Sequence, residues 1–384
     1  MPERQAAPLS VQSSGDNSTE RNGSILRRKD QVLNEQSKRF LLDLLNTASP
    51  SGFEEPAARR WRAEAETFAD EVRVDVNGNS YARLRGEGPV VVIEGHIDEI
   101  GLMITHIDDD GYLWFRPIGG WDDQILTGQR VRVMGRGGPV PGVIGRRPAH
   151  LLTPDERDKA SKIKDLWIDI GARNGAEARE RVQPGDPVVI EQPPLELANN
   201  RLVGRGIDNR MGAWVALETL RALANDRPPA DIYAVATTQE EITFLGAHTS
   251  AFALDPTVAI VIDVTHATDH PDSDKRGGGD VKIGGGPVLG RGSAIHPLVY
   301  ERLVAAAQAE GISFAVEAQP RNTFTDADAF APTRAGIPTG VVSVPNRYMH
   351  SPNELISLDD LDATVRLIAA FVRALGPNPD FSRV

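Results

Sequence analysis

Cysteine is absent from this chain of 384 residues. Without thiols the protein has no disulfide, no thiol nucleophile and no thiolate zinc site, so any metal has to be bound by His, Asp or Glu. An excess of positive charge is also missing, because the formal net charge is −12. Binding to nucleic acid requires basic groups that displace counterions from phosphates, so we expect no nucleic-acid partner.

Long apolar runs and several widespread motifs are missing as well. No stretch reaches the roughly 20 apolar residues of a membrane-spanning helix, and residues 1–10 lack the apolar core of a signal peptide. We therefore expect a cytoplasmic protein with no membrane partner. The sequence also has no Gly-x-Ser-x-Gly elbow, no Gly-x-x-x-x-Gly-Lys loop and no His-Glu-x-x-His helix, which argues against three common catalytic templates.

The pattern that is present alternates apolar strands with helical periodicity. Val90–Ile93 is apolar without alternation, which is typical of a strand buried on both faces of a sheet. Similar runs alternate with helical segments after Leu202, and this predicts an α/β fold with a mostly parallel central sheet covered by helices. Short β-like runs separated by Gly, Pro and Asp predict an inserted small β-barrel or sandwich between Leu102 and Leu197.

These changes of composition also predict the domain boundaries. Residues 1–30 are polar and without period, which is typical of a disordered extension. The main α/β domain, which would carry the catalytic groups, is expected in two parts at 31–101 and 198–376, with the inserted β domain at 102–197 and a tail at 377–384. A chain of this length is long for one core, so a second compact domain is expected.

Side chains that bind metals follow the central apolar run. His96 and Asp98 are two residues apart, so on an extended chain they point to the same side. Imidazole is a natural ligand for a divalent metal, and a carboxylate two residues away can orient the ring. Taken alone, the pair is better explained by a His and an Asp that are satisfied in a turn after the strand, so partners elsewhere in the chain are needed to indicate a site.

Further metal-type side chains occupy equivalent places elsewhere in the chain. They are Asp208 before a predicted helix, Glu240 and Glu241 after the run at 235–239, Asp263 after Ala259–Ile262, and His350 after the run at 341–345. Each has an ordinary alternative, such as a helix N-cap for Asp208 or surface exposure for the two glutamates. The carboxyl ends of parallel strands meet at one edge of a sheet, so together these residues predict a single site.

The charges of these residues match two divalent ions. Two such ions bring about four positive charges, which Asp208, Glu241, Asp263 and one hydroxide would balance. His96 and His350 add neutral nitrogen ligands. Glu240 is left without a metal, and a carboxylate beside the ions is placed to activate a water as general base.

The sequence resembles the tetrahedral (TET), glutamyl and deblocking aminopeptidases, a metallopeptidase family that includes proteins once labelled endoglucanase M. The likeness extends from about Gln36 to Ala374. The motifs that carry it are Gly95–Gly101, Ile118–Asp122, Gly128–Val131, Ile207–Gly212, Gln239–Glu241, Thr325–Ala327 and His350–Pro352.

The resemblance implies hydrolysis of the N-terminal peptide bond of short peptides by a metal-activated water. It implies two Zn or Co ions per subunit, with Asp208 bridging, His96 and Asp263 on one side, and Glu241 and His350 completing the centre. It also implies Glu240 as general base and Asp98 as the residue that orients His96. Asp326 is a candidate for positioning the substrate.

For the inserted β domain the resemblance implies a role in assembly. The expected product is a homo-oligomer, often a hollow dodecamer that admits only short peptides.

Two departures from the family pattern leave the substrate open. Ile242–Ala247 stands where a glycine and a basic residue are usual, and Phe324 stands where small residues are common. These features are similar to a bacterial branch associated with the osmolyte N-acetylglutaminylglutamine amide, so an alternative substrate is an acylated or amidated dipeptide.

Two other classes of function are alternatives to the hydrolase. A glycosidase needs carboxyls roughly 5 to 9.5 Å apart across a sugar, which the neighbours Glu240 and Glu241 do not easily provide. A non-catalytic assembly protein is the remaining alternative, although such a protein would have no need of a complete ligand set.

Overall fold

The computed structural model describes residues 33–157 and 159–383. The predicted disordered extension, residues 1–30, lies outside them. The described residues belong to one compact unit, Val32–Val384. Among them, no helix combines the length and the apolar character that crossing a bilayer requires.

The secondary structure alternates as the apolar runs predict. The strands are β1 (Glu71–Val74), β2 (Ser80–Leu84), β3 (Val90–His96), β4 (Gly101–Ile107), β5 (Leu113–Ile118), β6 (Arg130–Gly135), β7 (Gly138–Gly145), β8 (Trp167–Asp169), β9 (Pro187–Ile190), β10 (Leu195–Leu197), β11 (Arg201–Gly204), β12 (Asp231–Thr237), β13 (Val258–His266), β14 (Val288–Gly292), β15 (Ala315–Gln319), β16 (Thr339–Asn346) and β17 (Glu354–Ser357). The helices are α1 (Glu35–Asn46), α2 (Glu55–Ala65), α3 (Pro154–Arg157), α4 (Gly175–Arg181), α5 (Ile207–Ala224), α6 (Glu240–Thr243), α7 (Leu245–Leu254), α8 (Lys275–Gly278), α9 (Pro297–Ala309), α10 (Ala327–Phe330) and α11 (Leu358–Ala374).

An eight-stranded sheet in the order β1-β2-β12-β3-β13-β16-β14-β15 forms the centre of the molecule. Its middle strands β12, β3, β13 and β16 are parallel, whereas β2 joins β12 and β14 joins β16 in antiparallel pairs. The predicted α/β class with a mainly parallel sheet is confirmed. The β1–β2 hairpin pairs with β12, so β12 separates it from β3 in the sheet.

Both faces of the central strand are covered, as its unalternating sequence predicts. Val91 and Ile93 pack into the larger apolar core, which also holds Trp214 and the other inward residues of α5. Val92 packs on the opposite face with Phe330 and residues of α7. Because β3 is buried on both sides, its polar residues collect at its carboxyl end, where the layers of helices leave an opening.

The segment between β3 and β11 forms a closed barrel with the strand order β4-β5-β8-β7-β6-β9. Its interior is filled by alternate residues of each strand, including Leu102, Ile104, Val131 and Val133. Closure leaves no strand edge unpaired within the barrel. Of the two architectures that the sequence left open for this β domain, the structure has the barrel.

A smaller sheet in the order β10-β11-β17 joins the two strands that lie between the barrel and α5 to a strand that follows β16 in the sequence. The registers pair Val203 of β11 with Leu355 of β17, and Gly204 with Glu354. This pairing brings the segment just before α5, which carries Asp208, next to the segment just after His350.

Candidate metal centre

The predicted metal-binding residues converge at the carboxyl edge of the central sheet. His96 is the last residue of β3, Asp263 lies in β13, and Glu240 and Glu241 begin α6 directly after β12. Asp208 lies in the first turn of α5, and His350 follows β16. Segments far apart in the sequence therefore bring their polar groups to one place.

Asp208 faces both histidines. Its Oδ1 lies 3.2 Å from Nε2 of His96, and its Oδ2 lies 3.4 Å from Nε2 of His350. Nε2 of His350 is also 3.5 Å from Oε2 of Glu241, and Nε2 of His96 is 3.6 Å from Oε2 of Glu240. A carboxylate whose two oxygens each face a different imidazole has the geometry of a bridge between two cation positions.

Two overlapping groups of side chains have spacings that suit a cation. His96, Asp208 and Glu241 form one group and His96, Glu240 and Asp263 form the other, with the ligand atoms of each group within 4.8 Å of one another. His96 belongs to both groups. Distance alone does not separate Glu240, predicted as the general base, from the predicted ligands.

The donor atoms fit divalent metal ions. Oε1 of Glu241 is buried and has no hydrogen-bond partner among the described residues. An unpaired buried carboxylate oxygen is costly, and a coordinated cation satisfies it. The set consists of carboxylate oxygens and imidazole nitrogens, which bind zinc, cobalt and similar divalent ions.

The electrostatics of the cluster also favour a cation. Burial raises the pKa of the Glu241 and Asp263 carboxyls well above their usual range, and the negative charge of Asp208 raises both further. Burial likewise raises the pKa of Glu240. Asp208 differs because hydrogen bonds from His350 and His96 outweigh its burial and hold its pKa below the usual value. Positive charge at this place would relieve the crowding of carboxylates.

Asp98 is held by donors on both of its oxygens. It accepts hydrogen bonds from the hydroxyl of Ser51 at 2.6 Å and from the backbone N–H groups of Glu240 at 3.1 Å and Glu241 at 3.2 Å. Its Oδ1 also lies 3.3 Å from Nδ1 of His96. A proton on Nδ1 that faces Asp98 leaves Nε2 free as a ligand, so Asp98 is placed to orient His96.

Glu354 is a residue of the site that the sequence analysis missed. Its side chain is 1% exposed and accepts hydrogen bonds from the backbone N–H of Asp208 at 2.9 Å and of His350 at 3.0 Å. It therefore ties the two segments that meet in the β11–β17 pairing. The only signal in the sequence was a glutamate directly before the apolar Leu355 and Ile356.

A second buried network holds the segment before Asp208. Glu99 pairs with Arg205 and, at 3.0 Å, with Nη2 of Arg210. Arg210 also donates to the carbonyl of Leu44 at the end of α1. These charged groups are almost fully buried, and they pair with one another and with backbone carbonyls.

Asp326 lies beneath the cluster. Its side chain is 1% exposed and receives a hydrogen bond from the hydroxyl of Thr237 at 2.7 Å, and the same hydroxyl lies 2.6 Å from Glu94. One hydroxyl proton cannot serve both carboxyls, so one carboxyl is protonated and donates in return. Asp326 does not line the cleft above the cluster, and its position gives no support to the predicted substrate contact.

The cluster opens into a cleft of about 420 Å³. Asp208, Glu241, Asp263 and His350 line one part of it. The cleft continues over the end of β13 to β15, the edge strand of the sheet. A cavity of this size accommodates a small ligand beside the predicted metal positions.

A mainly parallel α/β sheet that carries histidines and carboxylates at its carboxyl edge defines a metallohydrolase class of protein. The sequence profile of the M42 glutamyl aminopeptidases matches residues 78–367. The chain belongs to this M42 family, and it is a metal-dependent aminopeptidase. The family predicted from the sequence motifs is confirmed.

Individual relatives agree with this assignment. The lysyl aminopeptidase of Pyrococcus furiosus is 37% identical over 312 residues, which cover 80% of this chain and 88% of the relative. The TET aminopeptidase of a marine-sediment Thaumarchaeota archaeon superposes with a TM-score of 0.85 at 34% identity, covering 89% of this chain and 97% of its own. The TET1 peptidase of Pyrococcus horikoshii superposes with a TM-score of 0.79 at 32% identity, and the match covers 88% of this chain and 100% of the TET1 chain.

Proposed function

We propose that the protein removes the first residue of short peptides and holds two divalent metal ions per subunit, either zinc or cobalt. The observation that carries the proposal is the position of Asp208, whose two carboxyl oxygens face two different imidazoles, those of His96 and His350. The side chains grouped around His96 supply the further carboxylates. The proposed ligands are His96, Asp208, Glu241, Asp263 and His350, with Asp208 as the bridge.

The proposed chemistry divides between the ions and the side chains around them. When bound, the ions polarise the scissile carbonyl and lower the pKa of a water. Glu240 accepts the proton of the attacking water and delivers it to the leaving amine nitrogen. Asp98 keeps His96 in the tautomer that can bind a metal.

The proposal includes assembly of the subunits. The TET1 relative can form a tetrahedron or a large octahedral shell. We propose a homo-oligomer, with a dodecamer as the expected size. In each subunit the catalytic domain consists of residues 31–101 and 198–376, and the inserted domain, residues 102–197, mediates the contacts between subunits. Light scattering on the purified protein tests the size, and a monomer at micromolar concentration would contradict it. The cytoplasmic location remains a prediction.

Metal analysis combined with peptide assays tests the chemistry. Protein stripped with a chelator and reloaded with zinc or cobalt should bind two ions per chain and hydrolyse short peptides that have a free amino terminus. Turnover of N-acetylated or amidated dipeptides alone would replace the proposal with the osmolyte alternative. Fewer than two ions per chain and no turnover of either substrate would favour a non-catalytic assembly protein.

A further inference from the structure

Glu317 is a carboxyl group of the cleft that lies apart from the metal cluster. It belongs to β15, two strands beyond β16 at the edge of the sheet. It lines the same cavity as Asp208 and Glu241, together with Thr265, His266 and Gln319. Thr265 and Gln319 hydrogen-bond to its side chain, which fixes the carboxyl at the wall of the cleft.

The charge around Glu317 is not matched by a fixed cation. No lysine or arginine is among the residues that line the cleft, and within residues 33–157 and 159–383 no arginine or lysine forms an ion pair with Glu317. Among the described residues that line the cleft, His266 is a group whose positive charge would act on Glu317, and its side chain is exposed. Burial raises the pKa of Glu317, so a cation that entered the cleft would stabilise its charged form.

Apolar groups line the cleft as well. Ile242, Phe244 and Met349 contribute to its walls, and Phe324, which is 77% exposed, stands at its surface. A long aliphatic stem packs against such groups while its charged end reaches a carboxylate. The cleft therefore offers apolar walls and a single acidic group at a distance from the reacting centre.

We propose that Glu317 determines specificity and selects peptides whose first residue is lysine or arginine. This inference rests on the proposed aminopeptidase function. In such a reaction only one residue lies on the amino side of the scissile peptide bond. The side chain of that residue therefore has to lie in the part of the cleft beside the cluster. A first residue with a carboxylate would face Glu317 without any fixed cation and is disfavoured, even though the family is described as glutamyl.

Kinetics on metal-loaded protein with a matched set of substrates test this proposal. The set consists of p-nitroanilides of Lys, Arg, Leu and Glu, with the dipeptides Leu-Lys and Leu-Leu to vary the second position. We expect kcat/KM for Lys and Arg to exceed that for Glu by on the order of a hundredfold, since a partly buried hydrogen-bonded ion pair is gained and a repulsion is avoided.

Three variants separate charge from shape. E317Q keeps the volume of the side chain and should lower kcat/KM for Lys and Arg about tenfold while that for Leu changes less than about threefold. E317K should reverse the order and raise kcat/KM for Glu relative to the wild type. E301Q, on an exposed position of α9, is the matched control and should change none of these values. Metal content and thermal midpoint are measured for every variant.

The outcomes distinguish the specificity from the underlying function. Hydrolysis with Glu as the best first residue, or an E317Q variant with unchanged Lys-to-Leu ratio, would overturn the role of Glu317 and leave the aminopeptidase intact. An effect of E317Q confined to Leu-Lys would place the carboxyl at the second residue and also overturn it. If no first residue is released from any substrate, the proposed function fails and the specificity fails with it.

Discussion

The carboxylate of Glu354 accepts a hydrogen bond from the backbone N–H of Asp208 at 2.9 Å. Its other oxygen accepts the backbone N–H of His350 at 3.0 Å. One buried side chain thus fixes the main chain beneath two of the proposed ligands, although it touches neither of their metal-binding atoms.

Replacing Glu354 should weaken metal binding. In E354Q the amide nitrogen is a donor and cannot accept a backbone N–H, so one of the two hydrogen bonds is lost and the Asp208 and His350 segments shift apart. We expect roughly 10- to 100-fold weaker affinity, as for other groups that support metal ligands. Competition with a chromogenic chelator measures it, and E310Q, on the exposed end of α9, is the control. Unchanged metal affinity in E354Q would mean that Glu354 stabilises the fold but does not position the Asp208 and His350 segments for metal binding.

Glu240 and Glu241 are adjacent, and each belongs to one of the two groups of side chains around His96, so their substitution separates a base from a ligand. We expect E240Q to retain both ions and to lose about 10²- to 10⁴-fold in kcat, the usual contribution of general base catalysis. E241Q should lose metal as well as activity. Elemental analysis beside steady-state kinetics distinguishes them, and loss of metal from E240Q would show that Glu240 is a ligand.

Removal of the metals should make stability depend on pH in a defined direction. Glu241 and Asp263 have raised pKa values in the folded state, so the folded protein holds protons that the unfolded chain releases. The contribution of these two carboxyls to the stability of the metal-free protein should therefore be complete below the ordinary carboxyl pKa and should be lost as pH rises. Thermal midpoints between about pH 5 and 8 measure this. Zinc or cobalt should raise the midpoint most at the alkaline end, and a metal-free protein that gains stability with pH would contradict the prediction.

The free energy of unfolding should also depend on pH through Glu54, whose pKa shift has a stated magnitude. It is 6% exposed, and burial together with the charge of Asp98 raises its pKa from 4.5 to about 7. A carboxyl with a raised pKa stabilises the fold below pH 4.5 and loses that contribution as pH rises through about 7. E54Q is permanently neutral, so in the metal-free protein it should be more stable than the wild type at pH 8, by on the order of 1–3 kcal/mol.

The difference between E54Q and the wild type should become small near pH 4.5, where Glu54 is neutral in the folded protein and half ionised in the unfolded chain. Chemical denaturation at both pH values measures it. E66Q, on an exposed position, serves as the control. A stability difference that is the same at both pH values would mean that packing, and not the charge of Glu54, is responsible.

Much of the fold could be predicted because the apolar runs are long and their periods differ. The unalternating Val90–Ile93 predicts a doubly covered strand, and Val91 and Val92 indeed face opposite cores. The apolar runs that precede His96 and Asp263 predict that both lie at one edge of the sheet; in the structure His96 ends β3, whereas β13 continues past Asp263 to His266. The carboxyl ends of parallel strands lie at one edge of a sheet, so recognising each strand from its local sequence is enough to predict where these side chains meet.

Other features depend on relations that local sequence does not encode. Closure of the barrel depends on the register between distant strands, so the sequence left barrel and sandwich open. Glu354 acts only through backbone hydrogen bonds, and no side-chain motif records such a role.

The proposed ligands come from segments that are far apart in the sequence, from His96 at the end of β3 to His350 after β16. A cation held by both segments would join them across the molecule. Binding would therefore be coupled to the folded state, and the ion would act as a cross-link between distant parts of the chain.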